Sequence, residues 1–349
     1  MGRKLLWASL VLAPVTFVLR YVFHVGDVTL FVFAAASLVP LAWLIGEATE
    51  QAGEHTGPGI GGFLNASFGN APELIIALIA VADGLPDVVR GSLTGSIVSN
   101  LLLVLGLALA AGANGGRSLD RRSLLGQLAL VLVAVLLFLI PSVPAWTGNA
   151  DRHSRLIATV PVAVVLLLLY AVATARGLRR HHRLHAESDA AEPGGWTLSV
   201  ALAALAAATV VTAFVSETLI HSLAAFANAV GLSQFFTATV IVAIVGNAAE
   251  HGGAIVIARR GNLRLASEIA VSSAAQVALL VTPAVALLSW IVRPPLALSF
   301  RPIELGTMGA SAVVVALVVR NGRATRREGL LLIGLYILAA IGYFIAGDR

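Results

Sequence analysis

The sequence predicts an all-α integral membrane protein of about 11 transmembrane helices, one N-terminal helix followed by two inverted-topology repeats of five helices. Three observations predict it. The 349 residues are 58% apolar and only 12% charged, with a mean hydropathy of +0.92. Apolar runs long enough to cross hydrocarbon recur along the whole chain, and one motif returns at a spacing of 177 residues. A soluble domain needs a polar surface, so this composition excludes soluble enzymes and nucleic-acid-binding modules and makes the lipid bilayer the expected surroundings. Of the 23 basic residues 22 are Arg, clustered between apolar runs. They read as topology anchors rather than as contacts to an acidic partner. With no cysteine, disulfides, thiolate metal sites and cysteine nucleophiles are excluded.

The runs lie at about 5–23, 28–46, 60–82, 88–112, 123–141, 154–175, 197–221, 233–258, 265–291, 303–319 and 329–346. Placing the N-terminus inside puts 16 of the 23 Lys and Arg on the inner side, which predicts a cytoplasmic N-terminus and an outer C-terminus. The first run is too long for a signal-peptide core and is expected as a helix of the mature protein. Residues 177–196 form a polar linker whose Arg179, Arg180, His181, His182, Arg183 and His185 are expected as a solvated basic loop at the head groups.

Gly69-Asn70-Ala71-Pro72-Glu73 in the third run matches Gly246-Asn247-Ala248-Ala249-Glu250 in the eighth, and the same offset carries Gly95-Ser96-Ile97-Val98-Ser99 onto Ser272-Ser273-Ala274-Ala275-Gln276. Two adjacent helices therefore repeat in register. Residues 27–176 form the first five-helix unit and 197–349 the second, with 1–26 as the extra helix. Five is odd, so the second unit enters the membrane inverted.

Glu73 and Glu250 fall inside apolar runs, where an ionised carboxylate costs at least about 2 kcal/mol unless solvated or paired. Arginines occur only near run ends, so a cation or a proton is the expected partner. Two carboxylates on equivalent helices of an inverted repeat suit a divalent ion. Asn70 and Asn247 share a helical face with the glutamates. Ser96, Ser99, Ser273 and Gln276 add hydroxyl and amide oxygens, with Asn100 one more amide beside Ser99. Hard oxygen donors favour Ca²⁺ over a transition metal. Pro72 and the motif glycines loosen the helices, so carbonyls such as those of Ala66 and Ala243 can face the ion. When the metal leaves, protonation neutralises the carboxylates. Competition between Ca²⁺ and H⁺ for one site, joined to alternating access, is antiport, in which both ions are transported and no cofactor is needed.

The stretches Gly61-Gly62-Phe63-Leu64-Asn65-Ala66-Ser67-Phe68-Gly69-Asn70-Ala71-Pro72-Glu73-Leu74-Ile75, Gly95-Ser96-Ile97-Val98-Ser99-Asn100 and Val245-Gly246-Asn247-Ala248-Ala249-Glu250-His251 resemble the two alpha repeats of the calcium/proton exchangers, a branch of the calcium/cation antiporter superfamily. The resemblance extends over essentially the whole chain. It implies a five-plus-five architecture with Ca²⁺ between the motif helices and the glutamates alternating between metal and protons. Sodium-coupled relatives carry a Gly-Thr-Ser-x-Pro-Glu type motif where Asn70 and Asn247 stand here, which favours proton coupling. The linker lacks the long acidic helix of some members.

His251, next to Glu250, is a candidate for proton coupling, and the resemblance favours that over a packing role. Glu50, in the acidic stretch Glu47 to Glu54, and Glu217 are candidates for ion access or gating at the two mouths. Exchange of Ca²⁺ or another cation for Na⁺ is the alternative on the same scaffold, and a passive channel is a further one. A membrane metallohydrolase is disfavoured because no H-E-x-x-H spacing occurs. The expected location is a prokaryotic plasma membrane, and the oligomeric state is not predicted.

Overall fold

The computed structural model describes residues 2–112, 118–147, 153–184 and 195–348, without the side chains of 2–3, 57–63, 65–67, 177–184 and 249. Helices α1 (Gly2–Ser9) and α2 (Leu12–Tyr21) make the first span, Lys4–Tyr21. Helix α3 (Asp27–Phe68) has 42 residues. At about 1.5 Å per residue it is roughly twice the length needed to cross hydrocarbon. The sequence suggests a loop at 47–59, but the helix runs through. Polar character there does not break it, because Thr49 and Thr56 return their hydroxyls to the carbonyls of Ile45 and Ala52 at 2.7 and 3.0 Å.

The second and third apolar runs therefore share α3 up to a break at Gly69 and Asn70, after which α4 (Ala71–Ala82) begins. Next come α5 (Pro86–Val98), a π-helical turn at Ser99–Val104 and α6 (Leu105–Gly112), one continuous span. Helix α7 (Arg121–Ser142) is capped by Asp120, which accepts from Ser123 N at 3.1 Å, and α8 (His153–Leu184) follows.

The second half opens with α9 (Leu198–Val230), which stops at Gly231 in the left-handed region at φ 72°, where glycine carries no Cβ penalty. Helix α10 (Gln234–Phe236), a π turn at Thr237–Val242 and α11 (Ala243–Gly246) lead to a break at Asn247. Helix α12 (Ala248–Arg259) leaves at 56° to the preceding segment. A second composite span joins α13 (Leu263–Gln276), a π turn at Val277–Val281 and α14 (Thr282–Val292). Helices α15 (Pro302–Val319) and α16 (Arg326–Ala346) complete the chain.

Nine helices among the described residues are long and apolar enough to cross a membrane, or ten with the bent pair counted as one span. The expected count of 11 is not reached, because the third run is split between the end of α3 and the 12-residue α4, which is too short to cross by itself.

Contacts between distant segments sort the connections into two ends. Arg20 pairs with Glu217 at 3.0 Å and His221 lies 3.2 Å from Asp83 at one end. At the other, Trp7 meets Trp43 and Trp196, His55 Nε2 lies 2.6 Å from Trp196 O, Arg264 pairs with Asp120, and Ser118 bridges to Arg323. These are the segments assigned by the sequence to the outer and inner sides respectively.

Small residues set the distance between core helices. A Cβ added to Gly329 of α16 would stand 2.5 Å from the Ala110 backbone nitrogen of α6, and one on Gly95 of α5 would stand 1.8 Å from the Thr239 carbonyl oxygen. Without a hydrophobic drive between helices in lipid, such backbone approach is the main source of cohesion. Gly329→Ala is therefore expected to destabilise by about 1–3 kcal/mol, the usual cost of overpacking. Gly126→Ala, where a Cβ meets nothing within 4 Å, should leave the unfolding midpoint in detergent level or slightly higher. Thermal unfolding followed by circular dichroism checks this, and equal midpoints for the two variants would count against the α6–α16 crossing.

Candidate ion-binding site

The two repeated motifs produce the same local structure. Asn70 and Asn247 occupy the breaks with φ/ψ of −101°/21° and −92°/7°, and each is followed by a 12-residue helix with its glutamate in the third position. A carboxylate in a first helical turn faces the positive end of the helix dipole. Pro72 fits α4 for a related reason, since an N–H at the first turn has no intrahelical partner to lose. Glu73 is buried and Glu250 largely so. The two carboxylates lie close enough for each charge to bear on the other. Glu73 packs on the backbone at the opposite break, its Oε1 3.9 Å from where a Cβ on Gly246 would stand.

The surrounding polar groups cross between the two halves of the chain. Asn70 Nδ2 donates to Gln276 Oε1 at 2.6 Å. Asn247 Nδ2 donates to Ser96 Oγ and to the Ala243 carbonyl, both at 2.8 Å, while its Oδ1 accepts from Asn100 Nδ2 at 3.0 Å. Asn100 Nδ2 also reaches Ser273 Oγ at 3.0 Å, and Ser273 hydrogen-bonds Glu250. Ser99 Oγ donates to the Ser96 carbonyl at 3.3 Å. π turns follow both serine-bearing helices directly, at Ser99–Val104 and Val277–Val281, so the helical register changes just beyond the cluster on each side.

Four buried oxygens of this cluster have no hydrogen-bond partner: Glu73 Oε2, Glu250 Oε2, Asn70 Oδ1 and Asn100 Oδ1. No salt bridge reaches either glutamate among the described residues. Two carboxylates among neutral amide and hydroxyl oxygens, with acceptor positions left open, form a set suited to a hard cation or to protons. No group of three or more His, Asp and Glu side chains that could hold a metal occurs among the described residues. Any ion here would thus rest on two carboxylates plus neutral oxygens.

The structure brings together Glu73, Glu250, Asn70, Asn247, Ser96, Ser99, Ser273 and Gln276. Ala243 is adjacent, with its carbonyl engaged by Asn247. Ala66 lies in α3 near the break, and its side chain is outside the described set. His251 is buried beside Glu250, its Nε2 without a partner. Glu50 is exposed on α3 and Glu217 is paired with Arg20, so both stand apart from the cluster.

Two residues carry more than the sequence indicates. Asn100 is the connector between Asn247 and Ser273. Ser92, one turn before Ser96, lines a small cleft with Glu73, Ile76, Leu93, Ser96, Val242, Ala243 and Gly246. The i, i+4 spacing from Ser96 is the signal that could have found Ser92.

Comparison with known proteins bears on this arrangement. The family model described as sodium/calcium exchanger protein matches residues 27–176 and 200–344. The Ca²⁺/H⁺ antiporter ChaA of Bacillus subtilis (strain 168) is 36% identical over 333 residues, covering 92% of this chain and 93% of that protein. The Ca²⁺/H⁺ antiporter of Aphanothece halophytica is 34% identical over 340 residues, covering 92% and 91%. The solved structure of native YfkE superposes with a TM-score of 0.82 at 32% identity, covering 98% of each chain. That of the H⁺/Ca²⁺ exchanger CAX has a TM-score of 0.71 at 16% identity over 99% of this chain and 92% of the other, a likeness of fold. Matched along both halves by the family model and by full-length relatives, the chain belongs to the sodium/calcium exchanger protein family.

Proposed function

We propose that this chain is a Ca²⁺/H⁺ antiporter, a secondary active transporter that exchanges Ca²⁺ for protons by alternating access at a two-glutamate site near the middle of the membrane. The observation that carries the reading is the approach of Glu73 and Glu250 in one buried oxygen cluster without a basic partner. The names of the relatives from Bacillus subtilis and Aphanothece halophytica point the same way.

In this reading Ca²⁺ takes both carboxylates, with Asn70, Asn247, Ser96, Ser99, Ser273, Gln276 and backbone oxygens near Ala66 and Ala243 completing its shell. On its departure the carboxylates take up protons, because two uncompensated charges so close together and out of water are costly. His251 assists the proton exchange, and Glu50 and Glu217 attract ions at the two mouths. Residues 27–176 and 197–349 act as inverted repeats around this site, joined by the polar linker at 177–196, with 1–26 as an added helix. The protein works in a prokaryotic plasma membrane with a cytoplasmic N-terminus and an outer C-terminus, and expels Ca²⁺ from the cytoplasm.

Two outcomes test the proposal. In proteoliposomes, an imposed pH gradient should drive Ca²⁺ uptake without any Na⁺ or K⁺ gradient, and both Glu73→Gln and Glu250→Gln should abolish it. Uptake that follows a Na⁺ gradient instead would leave the site but reverse the coupling, whereas normal uptake by both variants would remove the site. Second, protons and Ca²⁺ compete for the same oxygens, so ⁴⁵Ca²⁺ binding in detergent should weaken as pH falls. An affinity independent of pH would separate the proton from the metal site.

A further inference from the structure

The segment that carries the second motif begins far from the ion cluster, at the N-terminus of α10, and its anchorage there comes from the other end of the chain. Asp348 accepts from Gln234 N at 3.2 Å through Oδ2 and from Phe235 N at 2.8 Å through Oδ1. Ser233 supplies the next two acceptors, its Oγ to Phe236 N at 3.0 Å and its carbonyl to Thr237 N at 3.0 Å. All four initial N–H groups of the segment are thereby satisfied, half of them by one carboxylate more than a hundred residues away in sequence.

The neighbouring contacts seat the same turn. The Arg301 guanidinium lies 4.0 Å from the centre of the Phe235 ring and donates through Nη1 to the Gly347 carbonyl at 2.7 Å, so Arg301 holds both the helix start and the residue before Asp348. Tyr343 meets Phe235 edge to face at 5.9 Å, and Phe236 meets Phe344 at 5.7 Å. On the opposite side, α5 presses its glycines against the segment. A Cβ on Gly91 would stand 3.1 Å from the Phe235 ring and one on Gly95 would strike the Thr239 carbonyl.

Between this anchor and Asn247 lies the π turn Thr237–Val242. A π turn holds one residue more than an α-helix of the same path and relaxes readily unless both of its ends are fixed. The inner end is fixed by the hydrogen bonds of Asn247 to Ser96 and Asn100. The outer end is fixed by Asp348 and the Phe235 seat.

We infer that Asp348 is a positioning residue for the ion site: by capping α10 it holds the register of the segment that aims Asn247 and Glu250 at their partners. This rests on the antiport reading given above. Asp348 is exposed and lies beyond α16, so its replacement removes no core packing.

The test uses the full chain with Asp348→Ala, Asp348→Asn and Asp348→Glu. A lost helix cap corresponds to an equilibrium change of about fivefold, so Asp348→Ala should raise the apparent KM for Ca²⁺ about fivefold with the maximal rate kept. Asp348→Asn should fall between Ala and wild type, and Asp348→Glu should restore most of the affinity. Hydrogen exchange should quicken in Asp348→Ala across 234–246 and not in α13. That readout needs no transport, so it stands even where wild type shows no pH-driven Ca²⁺ uptake and the antiport reading itself falls. Unchanged exchange in the segment, an unchanged KM in a transporting protein, or a maximal rate that falls alongside the thermal midpoint while KM stays level would each overturn the inference.

Discussion

Two carboxylates held close together out of water, with no arginine or lysine paired to either among the described residues, are the constraint on which the rest of this structure turns. A buried pair of like charges is sustained only by a mobile cation or by protons. Each glutamate occupies the first turn of a helix that starts inside the protein, which gives the carboxylate the positive end of a dipole without supplying a permanent counter-charge. Had an arginine stood there, the site would be neutral and would have no reason to bind or release anything.

The requirement for interrupted helices follows from the same chemistry. Backbone polar groups can be exposed at membrane depth only where protein or a polar cavity receives them. Asn70 and Asn247 meet that condition, each ending one helix and starting the next while its side chain reaches into the opposite half of the chain. The symmetry is imperfect in an informative way. Asn70 bonds Gln276 alone, whereas Asn247 is gripped by Ser96, Asn100 and the Ala243 carbonyl, which makes the second break the more tightly determined of the two.

Much of this was legible in the sequence because inverted repeats leave a numerical trace. The 177-residue offset alone pairs Asn70 with Asn247, Glu73 with Glu250 and Ser96 with Ser273, and all six meet in one cluster. What escaped was continuity. Residues 47–59 read as a loop because their apolar pattern lapses, yet glutamate, glutamine and alanine are good helix formers and threonine hydroxyls can return to the helix's own carbonyls. The π turns were equally hidden, since their one-residue excess arises from packing between helices rather than from composition. Asn100 lay in view beside Ser99, but its use of one amide to tie Asn247 to Ser273 depends on the change of register that begins at that point. The capping of α10 by Asp348 is wholly tertiary and has no local signature.

Rigidity is unevenly distributed as a result. Where α5 crosses the 234–246 segment, glycines bring backbone within reach of backbone, and side-chain hydrogen bonds lock the crossing around the site. The long helices α3 and α9 pair differently, through apolar surfaces such as the stacked rings of Phe31 and Phe226 and the cluster of Ile45, Ala48, Leu205 and Ala208. Apolar seams have no directional bonds to break when they shift by part of a turn, whereas the glycine crossing cannot move without backbone collision. A protein that must expose one fixed cluster to two sides in turn is served by this division, with the ligands set in the part that cannot slide and the slack left in the pair of helices that cover it.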